Sequence, residues 1–147
     1  MIRIATAIVA AGFLTACAAT IPVKGNTSEV MSFAGRWEGR FQERNSDRHG
    51  KVVFELETGR HTGEGKVIAY VGDDESKSQT LTIKVVKLAG DAVTGTIAPH
   101  VDPRCNCTVK TEFKGEMRDD SIVGSYVVRS ADGAITRDGE WSADRFN

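Results

Sequence analysis

The sequence predicts an all-β domain, a meander of about eight antiparallel strands that closes into a small up-and-down barrel. From Gly35 onward apolar and polar residues alternate with period two, and no stretch holds a helical period. The breaks between alternating segments are short and rich in Gly, Asp, Asn and Ser, so neighbours in sequence become neighbours in the sheet. Each segment has one polar and one apolar face. With no helix to cover the apolar face, closing the sheet on itself buries that face and removes exposed edges.

The first inward face is Gly35, Trp37, Gly39 and Phe41, set against Arg36, Glu38, Arg40 and Gln42. Val52, Phe54 and Leu56 form the second, then Gly65, Val67, Ala69 and Val71, then Leu81, Ile83 and Val85. Val93, Gly95 and Ile97 alternate with threonines, and Val109, Phe113, Gly115 and Met117 with Lys110, Glu112, Lys114 and Glu116. Ile122, Gly124, Tyr126 and Val128 follow, and Gly139, Trp141 and Ala143 form the last face. Turns are expected at Asn45 to Gly50, Gly59 to Gly63, Gly72 to Ser78, Ala89 to Asp91 and Arg118 to Ser121, with Asp132-Gly133 as a two-residue hairpin. A glycine, one polar residue and a larger apolar residue recur on the inward phase, as in Gly115-Glu-Met117, Gly124-Ser-Tyr126 and Gly139-Glu-Trp141. Inward glycines make room for large neighbours, which predicts a narrow, mostly filled lumen holding Trp37, Phe41, Phe54, Phe113, Tyr126 and Trp141. Arg137 also falls on the inward phase, where a charge is costly unless paired, and it is expected to cap one end of the barrel.

Ahead of the domain, residues 1–16 carry one early positive charge at Arg3, an apolar run from Ile4 to Leu14, and then small residues. That is the order of parts of a signal peptide, and the run is too short to span a bilayer. Leu14-Thr15-Ala16-Cys17 resembles the bacterial lipobox. The resemblance implies a lipoprotein: a diacylglyceryl group on the Cys17 thiol, cleavage before it, and a further acyl chain such as palmitate on the new amino group. Two or more chains hold a protein stably on a membrane where one does not. With Ala18 rather than aspartate after the cysteine, the family's sorting rule implies the outer membrane, with the domain facing the periplasm. Residues 17–32 then read as the lipidated cysteine and a flexible tether, and residues 33–147 as the barrel domain.

Hydrophobic residues at 40% and charged residues at 27% suit a soluble globular domain. The formal charge is -1, and without residues 1–16 there are 18 basic against 20 acidic side chains, so no basic stripe points to nucleic acid. No nucleophile elbow, zinc-protease motif or phosphate-binding glycine loop is present, and the domain reads as non-enzymatic, with no cofactor.

Gly35-Arg-Trp37 resembles the opening of lipocalins, and an eight-strand meander between two tryptophans is similar to avidin-like and metalloprotease-inhibitor barrels. Lipocalins add a C-terminal helix for which this sequence has no pattern. The inhibitor resemblance implies a periplasmic module that inserts an N-terminal segment into a protease. The leading functional expectation is therefore a module anchored through Cys17 that binds an envelope protein partner. The alternative is a lipocalin-like carrier of a small apolar ligand.

One local constellation stands out: His100-Val-Asp-Pro-Arg-Cys105-Asn-Cys107. Exported cysteines tend to pair, but residues two apart on a strand are separated by about 6.6 Å at ideal rise, close to the limit of roughly 6.8 Å for a disulfide. A local bend at Pro103 and the turn would be needed. Two reduced thiols, bridges to another chain, and a metal site of His100, Cys105 and Cys107 with Asp102 nearby remain open alongside. His49 and His61 read as solvated turn residues, and Asp73-Asp74-Glu75 as a solvated loop without cation-loop spacing. Asp119-Asp120 reads as a turn, and Asn26-Thr-Ser28 and Asn106-Cys-Thr108 match sequons that carry little weight in a bacterium.

Overall fold

A computed structural model describes residues 20–147. The signal peptide read over residues 1–16 and the lipidation at Cys17 lie outside them. All eight expected strands are present: β2 Gly35–Glu43, β3 Arg48–Leu56, β4 Thr62–Val71, β5 Gln79–Ala89, β6 Ala92–Asp102, β7 Cys107–Arg118, β8 Ser121–Ser130 and β9 Thr136–Phe146. Each pairs antiparallel with the next, and β9 returns to β2 from Arg36↔Phe146 to Glu43↔Gly139, so the barrel closes. Asp132-Gly133 does not make a two-residue hairpin. The β8–β9 connection runs over residues 131–135, with Gly133 left-handed at φ 72° and Asp132 Oδ1 accepting from Ala134 N at 3.0 Å.

A ninth strand was not expected. β4 and β5 pair only from Lys66↔Thr82 to Ala69↔Gln79 and then diverge. The strand β1, Ile21–Lys24, fills the gap, antiparallel to β4 at Ile21↔Gly63 and parallel to β5 at Val23↔Val86. Helix α1, Thr27–Phe33, follows and lies across that end of the barrel. The flexible tether read over residues 17–32 is thus corrected from Ile21 onward. Ile21 and Val23 alternate inward, Val30 and Phe33 lie one helical turn apart, and all four are buried. Burial of these side chains outweighs the turn-forming composition around them. Asn26 caps α1 by accepting from Glu29 N at 2.9 Å, while Glu29 accepts from Asn26 N at 2.7 Å and from Gly90 N at 2.8 Å.

Trp37 is the centre of this helix end. It is fully buried, stacks on Phe54 with centroids 6.0 Å apart, and donates from Nε1 to Phe33 O at 2.9 Å. The Arg145 guanidinium lies 4.3 Å over its ring and also donates to Ala34 O, to Ser32 O at 2.9 Å and to Asp120 Oδ1 at 2.8 Å. One cation thereby ties the helix C-terminus, the β7–β8 turn and the last strand to the tryptophan.

Five of the six expected core aromatics are buried, while Phe113 is half-buried against Trp141, edge-on at 5.8 Å. Inward glycines accommodate the large rings. A methyl group on Gly139 would lie 2.5 Å from Tyr126 Oη, and one on Gly115 would lie 2.7 Å from the Trp141 ring. Replacing Trp37 by Ala should lower the unfolding free energy by about 3–5 kcal/mol, the usual cost of emptying a large core site. Urea titration followed by circular dichroism checks this, and a loss below about 1 kcal/mol would mean that the helix end does not depend on the ring.

Candidate functional site

The inward phase that carries hydrophobic residues through mid-barrel carries charged ones at the end opposite α1. On β2 the series Trp37, Gly39, Phe41 continues to Glu43, and on β3 the series Leu56, Phe54, Val52, Gly50 continues to Arg48. On β9 the phase of Trp141 and Gly139 reaches Arg137. A register shift in β6 between Ile97 and His100 leaves Asp102 buried at the same level. These side chains ring the mouth of a lumen whose walls are almost wholly apolar, including Phe54, Val67, Leu81, Val93 and Trp141. The cavity left inside is about 80 Å³.

Arg104, in the turn after β6, bridges the two carboxylates. It grips Glu43 through both oxygens at 2.7 and 3.1 Å, and Asp102 at 2.8 Å and 3.1 Å. Arg137 donates to Asp102 Oδ2 at 2.7 Å, so its expected capping position has a partner. Burial alone would raise the Asp102 carboxyl, but hydrogen bonds and charge from Arg104, with the charge of Arg48, outweigh it and hold the group well below the usual carboxylate range. For Arg104, burial is outweighed by Glu43 and Asp102, and its ionisation is pushed upward.

Cys105 and Cys107 are joined in a disulfide with their Cα atoms 5.1 Å apart. The turn over residues 103–106 supplies the bend that brings them within reach, with Asn106 left-handed at φ 49°. With both sulfurs bonded to each other, no thiolate remains for a metal. His100 is half-buried with Nδ1 3.2 Å from Ala98 O, and no group of three metal-ligating side chains occurs among the described residues. The ligand set of His100, Cys105 and Cys107 is therefore not assembled. What the small ring does is fix the turn that presents Arg104, where Arg104 N donates to Asp102 Oδ1 at 2.9 Å and Cys105 N to Asp102 O at 3.3 Å.

Outside the same cluster lies an open depression of about 520 Å³, lined by residues 43–47 with Arg104 and Arg137. Asp74 caps the short 3-10 turn Glu75–Lys77, and Asp120 is committed to Arg145, so neither acidic pair forms a site. No protein-family model matches this sequence, and no curated protein matches it.

Removing the buried carboxylate leaves Arg137 without its partner. Asp102→Asn should cost about 3–5 kcal/mol of stability at neutral pH. Because the folded carboxyl titrates below its unfolded value of about 3.9, its contribution is complete above that pH and is lost as pH falls below it. The two proteins should converge in acid, which a series of denaturant titrations from neutral pH downward measures. The ring closed by the disulfide is very small, so its loop-entropy contribution is small as well. A double Cys105→Ser, Cys107→Ser variant should melt within a few degrees of the parent.

Proposed function

We propose that this chain is a cell-envelope lipoprotein whose barrel is a non-enzymatic binding module for a protein partner. In this reading residues 1–16 direct export, and Cys17, bearing diacylglycerol and an acyl chain, anchors the protein in the outer membrane facing the periplasm. The observation that carries the binding assignment is the contrast between the two spaces at the mouth. The lumen retains only about 80 Å³, whereas sites for drug-sized ligands run to about 300–1,000 Å³. The depression outside the mouth is open, and it is walled by partly exposed Arg104, on the turn that holds the disulfide, and Arg137 of β9. Val101, half exposed on the outer face of β6 at the mouth end of the barrel, adds an apolar contact. A charged rim of this kind can steer and orient a partner of complementary charge. Residues 21–33 are built into the barrel, so the contact is assigned to the mouth and not to an inserted N-terminal segment.

Two measurements separate the parts of this reading. Mass spectrometry of membrane-extracted protein should find a mature N-terminus at acylated Cys17, and Cys17→Ser should release the domain into the soluble fraction. An unacylated N-terminus at any other residue would sink the anchor. A photoreactive residue at Val101 should crosslink one protein in intact cells, while the same probe at Val123, towards the helix end, should not. Equal crosslinking from both positions would remove the mouth as the contact.

A further inference from the structure

Arg48 differs from the other cations of the mouth. It is buried, with 6% of its surface exposed, and its side chain makes one hydrogen bond, from Nη2 to Gln79 Oε1 at 3.1 Å. No carboxylate lies within salt-bridge distance of it among the described residues, whereas Arg104 has two and Arg137 one. Glu43 and Asp102 face three guanidiniums, so among these five groups positive charge exceeds negative by one, and Arg48 is the guanidinium that contacts neither carboxylate. Burial pushes the Arg48 ionisation down, with the charges of Asp102 and Glu43 opposing. A buried cation in that position is costly unless something pairs with it.

Another polar group lining the same cavity lacks a hydrogen-bond partner. Tyr126 is 8% exposed, and its hydroxyl is the one buried side-chain polar atom without a hydrogen bond among the described residues. Phe41 meets its ring edge-on at 5.7 Å, and the Gly139 backbone leaves the space that the hydroxyl occupies. Burial, then the charge of Glu43, pushes its ionisation upward, so the hydroxyl remains a donor at neutral pH. Arg48 and Tyr126 both line the lumen, whose remaining walls are apolar.

We propose that the lumen binds a small monocarboxylate, its head on Arg48 and Tyr126 and its short apolar tail among Phe54, Val67, Leu81 and Val93. The surplus of one positive charge matches a monoanion and not a doubly charged phosphate. Two donors, one a guanidinium, suit the lone pairs of a carboxylate. The cavity of about 80 Å³ sets the length. That is well below the roughly 300 Å³ at which sites for drug-sized ligands begin, so the tail is short and a long-chain fatty acid does not fit. This site stands independently of the protein partner, which meets the outer side of the mouth.

Calorimetric titration of the full chain, in a buffer free of carboxylates, tests the site with sodium butyrate, butyramide, palmitate and inorganic phosphate. Butyrate should saturate one site, while the uncharged amide, the long-chain acid and phosphate bind at least tenfold more weakly. Arg48→Met should weaken butyrate at least tenfold. Tyr126→Phe removes only an unpaired hydroxyl, so it should melt within a few degrees of the parent and still weaken butyrate several-fold. Should Arg48→Met fail to fold, Tyr126→Phe and the butyrate–butyramide pair still decide. Absence of saturable butyrate binding, equal binding of butyramide, tighter binding of phosphate or palmitate, or unchanged affinity in Tyr126→Phe would each overturn the proposal.

Discussion

The width of the lumen governs this structure. Closing the eight meander strands, with β1 wedged between β4 and β5 at one end, leaves an interior just wide enough for side chains to fill, so every inward position must agree in size with the positions opposite. Glycine and aromatic residues therefore face one another across the sheet, with Tyr126 over Gly139, Trp141 over Gly115 and Gly124, and Phe41 against Gly50. Adding a methyl group at any of these glycines would force a ring or a strand to move. The same requirement explains why the gap between β4 and β5 needs its own strand. Ile21 and Val23 supply the missing inward side chains and satisfy backbone groups that would otherwise face the core.

The two ends of the barrel are sealed by different physics. At the helix end, apolar burial dominates, and Arg145 lends its charge to a ring face and to carbonyls at the end of α1. At the mouth, charges pair with charges. Bidentate contacts from Arg104 satisfy Glu43 and Asp102, which makes their desolvation tolerable. The disulfide limits the freedom of the turn that delivers Arg104, so its role is positional and not a large contribution to stability. One end is thus dry and the other polar, and the hydrocarbon-lined lumen runs between them.

Much of this fold was legible in the sequence, because period-two alternation and turn residues are local signals. The eight meander strands and their order follow from them. β1 and α1 were missed for a physical reason. Four residues and seven residues are too short to display a period, and Pro22, Gly25 and Asn26 dominate their composition. Asn26-x-x-Glu29 nevertheless matches a capping box, a signal that the sequon at the same asparagine obscured. The charged mouth was only partly readable. Arg137 declared itself by phase; Glu43 lies one inward step past Phe41, whereas Arg48 lies two steps beyond Val52, in a segment whose Asn, Ser, Asp and Gly content reads as a turn. Arg104 sits in a turn where no phase exists, and its partners are set by tertiary closure alone.

The start of β1 at Ile21 also bears on how the protein sits in the cell. Only residues 18–20 separate Cys17 from the barrel wall, so the four steps from Cys17 to Ile21 reach about 14 Å when fully stretched. With Cys17 lipidated as proposed, the β1 flank is moored against the bilayer and cannot roam above it. Lys24, Lys66, Lys84 and Lys87 are exposed on β1 and its two neighbours, so a side moored in this way would offer cations to lipid phosphates. β1 pairs near the helix end, which leaves the charged mouth as the part of the barrel free to meet whatever diffuses past.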